Sequence, residues 1–170
     1  MSSIIQGFVH PIGGIDHALA MIGLGIIAGL IGGRALWLVP AAFVTFMAVG
    51  AMMGIRRIDL PNYETGIALS VVVIGVIIGF GRLLPIAGAA ALAAVISVVH
   101  GYAHGAELPL ETSVASYVAG LVIATLLLHA IGIGLALGVE RFGQPISLRA
   151  RQVAGIGMAG IGIAILAGWL

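Results

Sequence analysis

Long apolar runs alternate with short polar segments along the chain, and most runs are long enough to cross a membrane as helices. The first charge-free run, residues 18–33, would span only about 24 Å as a helix, whereas a hydrocarbon core is about 30 Å thick. Asp16 and His17 should therefore lie at or inside the membrane boundary. The pattern predicts an all-α bundle in one transmembrane domain, with six helices at about residues 14–33, 35–55, 65–81, 83–104, 113–139 and 152–170.

The polar segments between the runs predict the connections. Arg56 to Pro61 should form a turn, and residues 140–151, which contain Pro145, should form a polar loop. The first seven residues lack the basic segment that opens a secretory leader, so no leader is predicted; a cleaved leader replaced by an initiator methionine would look the same.

Composition agrees with a protein that lies in the lipid bilayer. Of 170 residues, 61% are hydrophobic and only 8% are charged, whereas soluble domains carry about 25% charged residues. The absence of cysteine excludes disulfides and thiolate metal sites. A formal net charge of +1 gives no support to nucleic-acid binding.

Glycine is abundant, with 27 residues, and many glycines recur at a spacing of four. Small residues at this spacing let transmembrane helices approach closely. The same stripes serve contacts within one chain or between copies, so homo-oligomerisation is left open. The helix-packing glycines predicted in this way are Gly25/Gly29/Gly33, Gly50/Gly54, Gly75/Gly79 and Gly134/Gly138.

Basic residues are distributed unequally between the two predicted sides. Segments after the first, third and fifth spans hold five arginines: Arg34, Arg82, Arg141, Arg149 and Arg151. The opposite side holds only Arg56 and Arg57. The positive-inside rule then places the five-arginine side in the cytoplasm and both termini outside.

Ionisable side chains collect in two segments that this topology places on the same external side. These segments contain six candidate metal ligands: His10, Asp16, His17, His100, His104 and Glu107. His100 and His104 are four residues apart, so they share a helix face if the fourth helix continues through them. Imidazoles and carboxylates suit Zn, Ni, Cu or Fe, and the Met21 thioether, one turn after His17, would be an outer soft ligand.

A simpler interpretation stands beside this one. Asp16 could serve only to stabilise a helix N-terminus, and each histidine could be an interfacial hydrogen-bonding residue. Grouping favours a shared site, because ionisable residues within membrane segments usually have a function. Pro11 is expected to keep His10 extended, so that it folds back over the start of the helix.

His129 lies inside the fifth predicted span, one turn after Thr125. With Tyr117 and Ser113 earlier on the same helix, a polar track could run along it. His129, Met21 and Thr125 are thus candidates for a relay or a second metal site. The alternative is a histidine that hydrogen-bonds across a helix interface.

Two motifs resemble the HupE/UreJ family of membrane proteins that assist nickel hydrogenases and ureases. Residues 10–17 fit the pattern H-x5-D-H, and residues 100–109 fit H-G-x-A-H-G-x-E-x-P. The segment from Leu128 to Gly134 resembles a later histidine segment of that family. The resemblance implies a permease for Ni²⁺, or Co²⁺, that supplies metalloenzyme maturation, with the six residues named above as its metal-site candidates.

A mechanism follows as a hypothesis. A divalent cation would be captured outside, partly dehydrated by imidazoles and carboxylates, and passed beyond His129 to a cytoplasmic metallochaperone or maturation protein. Only neutral imidazoles bind metal, so affinity should fall as the pH approaches the ordinary histidine pKa of about 6.5. No prosthetic group is expected, and the metal would be cargo. The alternatives are an accessory protein that binds metal without transporting it, and an intramembrane zinc hydrolase with Glu107 or Asp16 as general base.

Overall fold

A computed structural model of the protein describes residues 1–80, 84–109 and 111–170. Within these ranges the chain forms seven α-helices and no β-strand, which confirms the all-α class. The helices are α1 (Ser3–Gly13), α2 (Ile15–Ile31), α3 (Ala35–Ile55), α4 (Tyr63–Phe80), α5 (Ile86–Ala106), α6 (Val114–Glu140) and α7 (Gln144–Leu166).

The length and hydropathy of the helices fit an integral membrane protein. Four of the described helices, α3 to α6, are long and apolar enough to cross a membrane. The α1 and α2 helices together form a fifth candidate, a pair bent by 81°. The α7 helix has 23 residues, but Arg149 and Arg151 lie in its N-terminal third, and it is not among the candidates. The predicted six spans correspond in sequence to α2 through α7, and four or five of them qualify on length and composition.

Helices α3 and α5 form the most extensive pair and run parallel to each other. Gly101 of α5 faces the backbone of Met47, and Gly105 faces that of Ala51, so contacts advance in the same order along both helices. A Cβ on either glycine would collide with the facing backbone. The absence of side chains at these positions therefore allows the two backbones to touch.

Helices α2 and α6 form a second parallel pair. Gly25 faces the backbone of His129, and Gly29 faces Ile133 one turn further on. Helices α4 and α7 pack antiparallel. The N-termini of α2, α4 and α6 and the C-termini of α3, α5 and α7 therefore lie at one end of the bundle, which we call the site end.

The glycine stripes differ in what they contact. Five predicted packing glycines lie against another helix so closely that a Cβ would clash: Gly25, Gly29, Gly50, Gly54 and Gly75. Gly79 meets Gly155 at ordinary contact distance. Gly33 instead supplies a φ of +54° in the α2–α3 turn. Apart from the neighbouring backbone of α6, no described atom lies within 4 Å of a Cβ built on Gly134 or Gly138, so the described residues do not use the predicted packing of these two glycines.

Helix α1 corrects one sequence expectation. His10 is not extended but lies in the last turns of α1, with Pro11 inside the helix. The chain bends after it, at Gly14, where φ is −90° and ψ is 114°. Packing on α6 stabilises α1, since Gly7 lies directly against the Tyr117 backbone. This contact outweighs the extended preference of a residue that precedes proline.

The connection between α6 and α7 is shorter than expected. Residues 140–151 do not form a loop throughout, because α7 begins at Gln144 and only residues 141–143 lie between the helices. Pro145 falls in the first turn of α7, where its missing N–H breaks no helical hydrogen bond. The predicted boundary between the third and fourth spans, including Arg82, lies outside the described residues.

Candidate functional site

Four imidazoles from three helices meet at the site end. His10 comes from α1, His17 from α2, and His100 and His104 from α5. The ring centroid of His17 lies 4.7 Å from that of His104 and 4.9 Å from that of His100. His10 lies 5.0 Å from His104 and 6.5 Å from His17, again between ring centroids. The structure thus joins two motifs that are more than 80 residues apart in the sequence, and we call these four residues the histidine cluster.

Hydrogen bonds fix the orientation of two of these rings. The Nδ1 of His17 lies 2.9 Å from Oδ1 of Asp16, which also accepts the backbone N–H of His17 at 2.8 Å. The Nδ1 of His100 lies 3.0 Å from the carbonyl oxygen of Ile96. Because carboxylate and carbonyl oxygens only accept, the neutral form of each ring carries its proton on Nδ1 and presents the lone pair of Nε2.

Four other ring nitrogens of the cluster are buried without partners in the described chain. Among the described residues, Nε2 of His17, Nε2 of His100 and both ring nitrogens of His104 have no hydrogen-bond partner. His100 and His104 are at most 1% exposed. A buried polar atom without a partner costs about 1–3 kcal/mol, and native structures usually provide a partner, which can be water or an ion. Nitrogen lone pairs in such a place suit a transition-metal cation.

The coordination geometry is not preformed. Within the described part of the chain, no three His, Cys, Asp or Glu side chains are already arranged around a single ion position. The imidazoles surround a common region, and binding would draw their free nitrogens together. The residue types fit the metal, but the distances of this structure do not define a coordination shell.

An acidic vestibule lies next to the histidine cluster at the site end. It has a volume of about 420 Å³ and is lined in part by His17, Tyr63 and three carboxylates, those of Asp16, Glu64 and Glu107. Glu107 also pairs with His10, at 3.3 Å between Oε2 and Nε2. Clefts lined by one sign of charge raise the local concentration of counter-ions, so this vestibule would attract cations.

Glu64 was missed by sequence reasoning, although a signal was available. It lies in the first turn of α4, at the same predicted side as both histidine motifs. Glu64 directly precedes the third predicted span, which contains no charged residue. This position could have identified Glu64 as part of the acidic vestibule.

His129 lies away from the cluster, beyond the ring of Phe43. The Phe43 centroid is 6.0 Å from that of His100 and 5.0 Å from that of His129. His129 is 1% exposed, and its Nδ1 lies 2.8 Å from the Thr125 carbonyl, which leaves Nε2 without a partner among the described residues. The Thr125 hydroxyl donates to the sulfur of Met47 at 3.8 Å.

Phe43 therefore contacts both His129 and the cluster, and among the described residues no ring contact joins His129 directly to a cluster histidine. His129 also lines a groove of about 500 Å³ between α3 and α6. Met21, the other candidate for this region, is fully buried in the hydrophobic core of the bundle.

The fold and the cluster define a class of protein: a helical protein with apolar helices that fit a membrane and with buried imidazoles next to an acidic vestibule. The family model for HupE / UreJ protein matches residues 1–165, and the chain belongs to the HupE/UreJ family. Members of this family are accessory or transport proteins associated with nickel and cobalt in hydrogenase and urease systems, which removes support from the hydrolase alternative.

A relative in Rhizobium leguminosarum bv. viciae carries the name Protein HupE. It is 44% identical over 164 residues, which cover 96% of this chain and 84% of the relative. No solved structure matches this chain.

The Asp16–His17 hydrogen bond leads to a first prediction. Asp16→Asn should weaken Ni²⁺ binding by about 10- to 100-fold, because an amide no longer holds the Nδ1 proton as a carboxylate does. Titration of the purified protein with Ni²⁺ measures this change. Asp59→Asn is the matched control, since Asp59 is exposed in the α3–α4 connection. Equal affinities of the two variants would contradict the orienting role of Asp16.

Proposed function

We propose that this protein transports Ni²⁺, or Co²⁺, across the bacterial inner membrane into the cytoplasm for hydrogenase or urease maturation. The observation that carries the proposal is the histidine cluster, in which two sequence motifs bring four imidazoles together below the acidic vestibule. Several ring nitrogens there are buried and free to bind a cation. Membership of the HupE/UreJ family supports the same class of cargo.

The proposal includes an arrangement in the membrane. Helices α2 to α7 would cross it six times, with both termini and the site end outside. This arrangement is supported by the alternating directions of these helices and by the unequal distribution of arginines between the two ends of the bundle. Arg56 and Arg57 follow α3 at the site end, whereas Arg34 and Arg141 lie at the opposite end, where positive charge favours the cytoplasm.

The transported cation would occupy two positions in turn, the histidine cluster and His129, which we call the two histidine stations. Asp16, Glu64 and Glu107 attract the hydrated cation into the vestibule, and the histidine cluster replaces part of its water. His129 is the second station, on the far side of the Phe43 ring. Phe43 must then move or rotate for the cation to pass. Release at the opposite end would deliver the cation to a cytoplasmic metallochaperone or maturation protein.

Flux measurements test the proposal directly. Proteoliposomes containing the wild-type protein should take up radioactive Ni²⁺ faster than protein-free liposomes, and His17→Ala should reduce the rate to that background. His17 contacts both α5 histidines, so its loss removes the centre of the cluster. Equal uptake by wild type and variant would refute the assigned role of the cluster.

A second candidate function is a metal-binding accessory protein without transport. The buried Phe43 ring favours it, because that ring lies between the two histidine stations. Saturable Ni²⁺ binding by the wild type without flux across a sealed bilayer would support this alternative over a permease.

A further inference from the structure

The hydroxyl group of Tyr117, on α6, makes no hydrogen bond that would stabilise the described part of the fold. The residue is only 2% exposed, and its hydroxyl has no hydrogen-bond partner in the described chain. Buried hydroxyls in native proteins are normally paired, and tyrosine in particular usually finds a partner for its O–H. A purely structural role would be served equally well by phenylalanine.

The surroundings of Tyr117 belong to the histidine cluster. Its ring centroid is 6.0 Å from that of His10, which in turn lies 5.0 Å from His104. Around this side of the cluster, the Tyr117 hydroxyl and both nitrogens of His104 are therefore buried polar groups without partners in the described residues.

Backbone packing holds Tyr117 in this position. Gly7 of α1 lies directly against the Tyr117 carbonyl, and a Cβ there would collide with it. The same turn of α1 leads to His10. One close helix contact therefore fixes the Tyr117 backbone near His10, and this backbone cannot withdraw without separating α1 from α6.

Resting on the proposed function, we infer that the Tyr117 hydroxyl accepts a hydrogen bond from a water molecule that the bound cation retains, and that it thereby favours Ni²⁺ over Zn²⁺. Metal-bound water is a strong donor, and Tyr117 offers an acceptor at the edge of the imidazoles. Zn²⁺ is satisfied by a tetrahedral ligand set. Ni²⁺ with nitrogen and oxygen ligands prefers tetragonal or square-planar sets, in which water can fill positions that the protein leaves open.

Tyr117→Phe tests this inference, because it removes only the hydroxyl. The full-length variant in detergent is titrated with Ni²⁺ and separately with Zn²⁺, and its metal-free Tm is measured. We expect Ni²⁺ affinity to fall roughly tenfold and Zn²⁺ affinity by less than about twofold. The metal-free Tm should not fall, since the lost hydroxyl has no partner in the described chain.

Tyr102→Phe is the matched control. Tyr102 lies on α5 between the two cluster histidines, but it packs against Tyr63 and the α3 backbone. Its Ni²⁺ to Zn²⁺ affinity ratio should equal that of the wild type. An unchanged ratio in Tyr117→Phe, or equal losses for both metals, would overturn the inference and leave the proposed function standing. Failure of the wild type to bind Ni²⁺ would overturn both.

Discussion

His104→Gln should abolish tight Ni²⁺ binding and reduce Ni²⁺ uptake by proteoliposomes to the level of protein-free liposomes. His104 lies beside both His10 and His17, and neither of its ring nitrogens has a partner in the described structure. Glutamine keeps polar hydrogen-bonding groups but removes the imidazole. Loss of partners that only orient a metal ligand typically costs 10- to 100-fold in affinity, so removal of a ligand should cost at least about 100-fold.

A comparison with His129→Gln sharpens this test. His129 lies on the far side of the Phe43 ring, so its replacement should leave binding at the cluster nearly intact while it slows flux. Titration and uptake measured on both variants distinguish capture from passage. Wild-type affinity in His104→Gln would contradict the assignment of the cluster as the capture site.

Gly101→Leu should prevent stable folding or lower the Tm strongly. Gly101 of α5 lies against the Met47 carbonyl of α3, where even a Cβ would collide with backbone atoms. A flexible side chain could move aside, but a helix backbone cannot, so the α3–α5 pair must separate. Overpacking of this kind costs about 3 kcal/mol or more, which corresponds to roughly 6–12 °C in Tm for a chain of this size.

Gly134→Leu is the matched control for this stability test. It also places leucine in the interior of a long helix, but no described atom lies within 4 Å of the Cβ position. Thermal unfolding followed by circular dichroism in detergent measures both variants. A Tm of Gly101→Leu close to that of Gly134→Leu would show that α3 and α5 do not pack as described.

The sequence predicted the helices whose stability comes from their own apolar composition. Helices α3 through α6 follow the apolar runs closely, and the i,i+4 spacing of His100 and His104 correctly placed both on one helix. These features depend on local periodicity and on exclusion of charge, which a single sequence displays.

Elements held by distant contacts were not predictable in the same way. Helix α1 is short and partly polar, and its packing on α6 begins where the backbone N–H of Ser113 donates to Ser3. The residues around Ser3 show no sequence pattern that predicts this contact with α6. The start of α7 was not predicted either. Pro145 and two arginines are typical of a loop by composition, but they lie in the first turns of this helix.

The candidate site shows the same division. Histidines and carboxylates can be recognised from the sequence because they are ionisable groups in apolar surroundings. Phe43 has no such signal, and only the structure shows that its ring contacts both His100 and His129. That three helices bring their imidazoles together is a property of packing. The count of arginines indicated only that the two motifs share a side.

The backbone contacts of the glycines have a mechanical consequence for the cluster. The α3–α5 and α2–α6 pairs are each closely interlocked, and the packing between the two pairs, mainly of α2 on α3, is less extensive. His17 belongs to one interlocked pair and His104 to the other. A cation bound by both would therefore add a crosslink between the two helix pairs, and its departure would remove that crosslink.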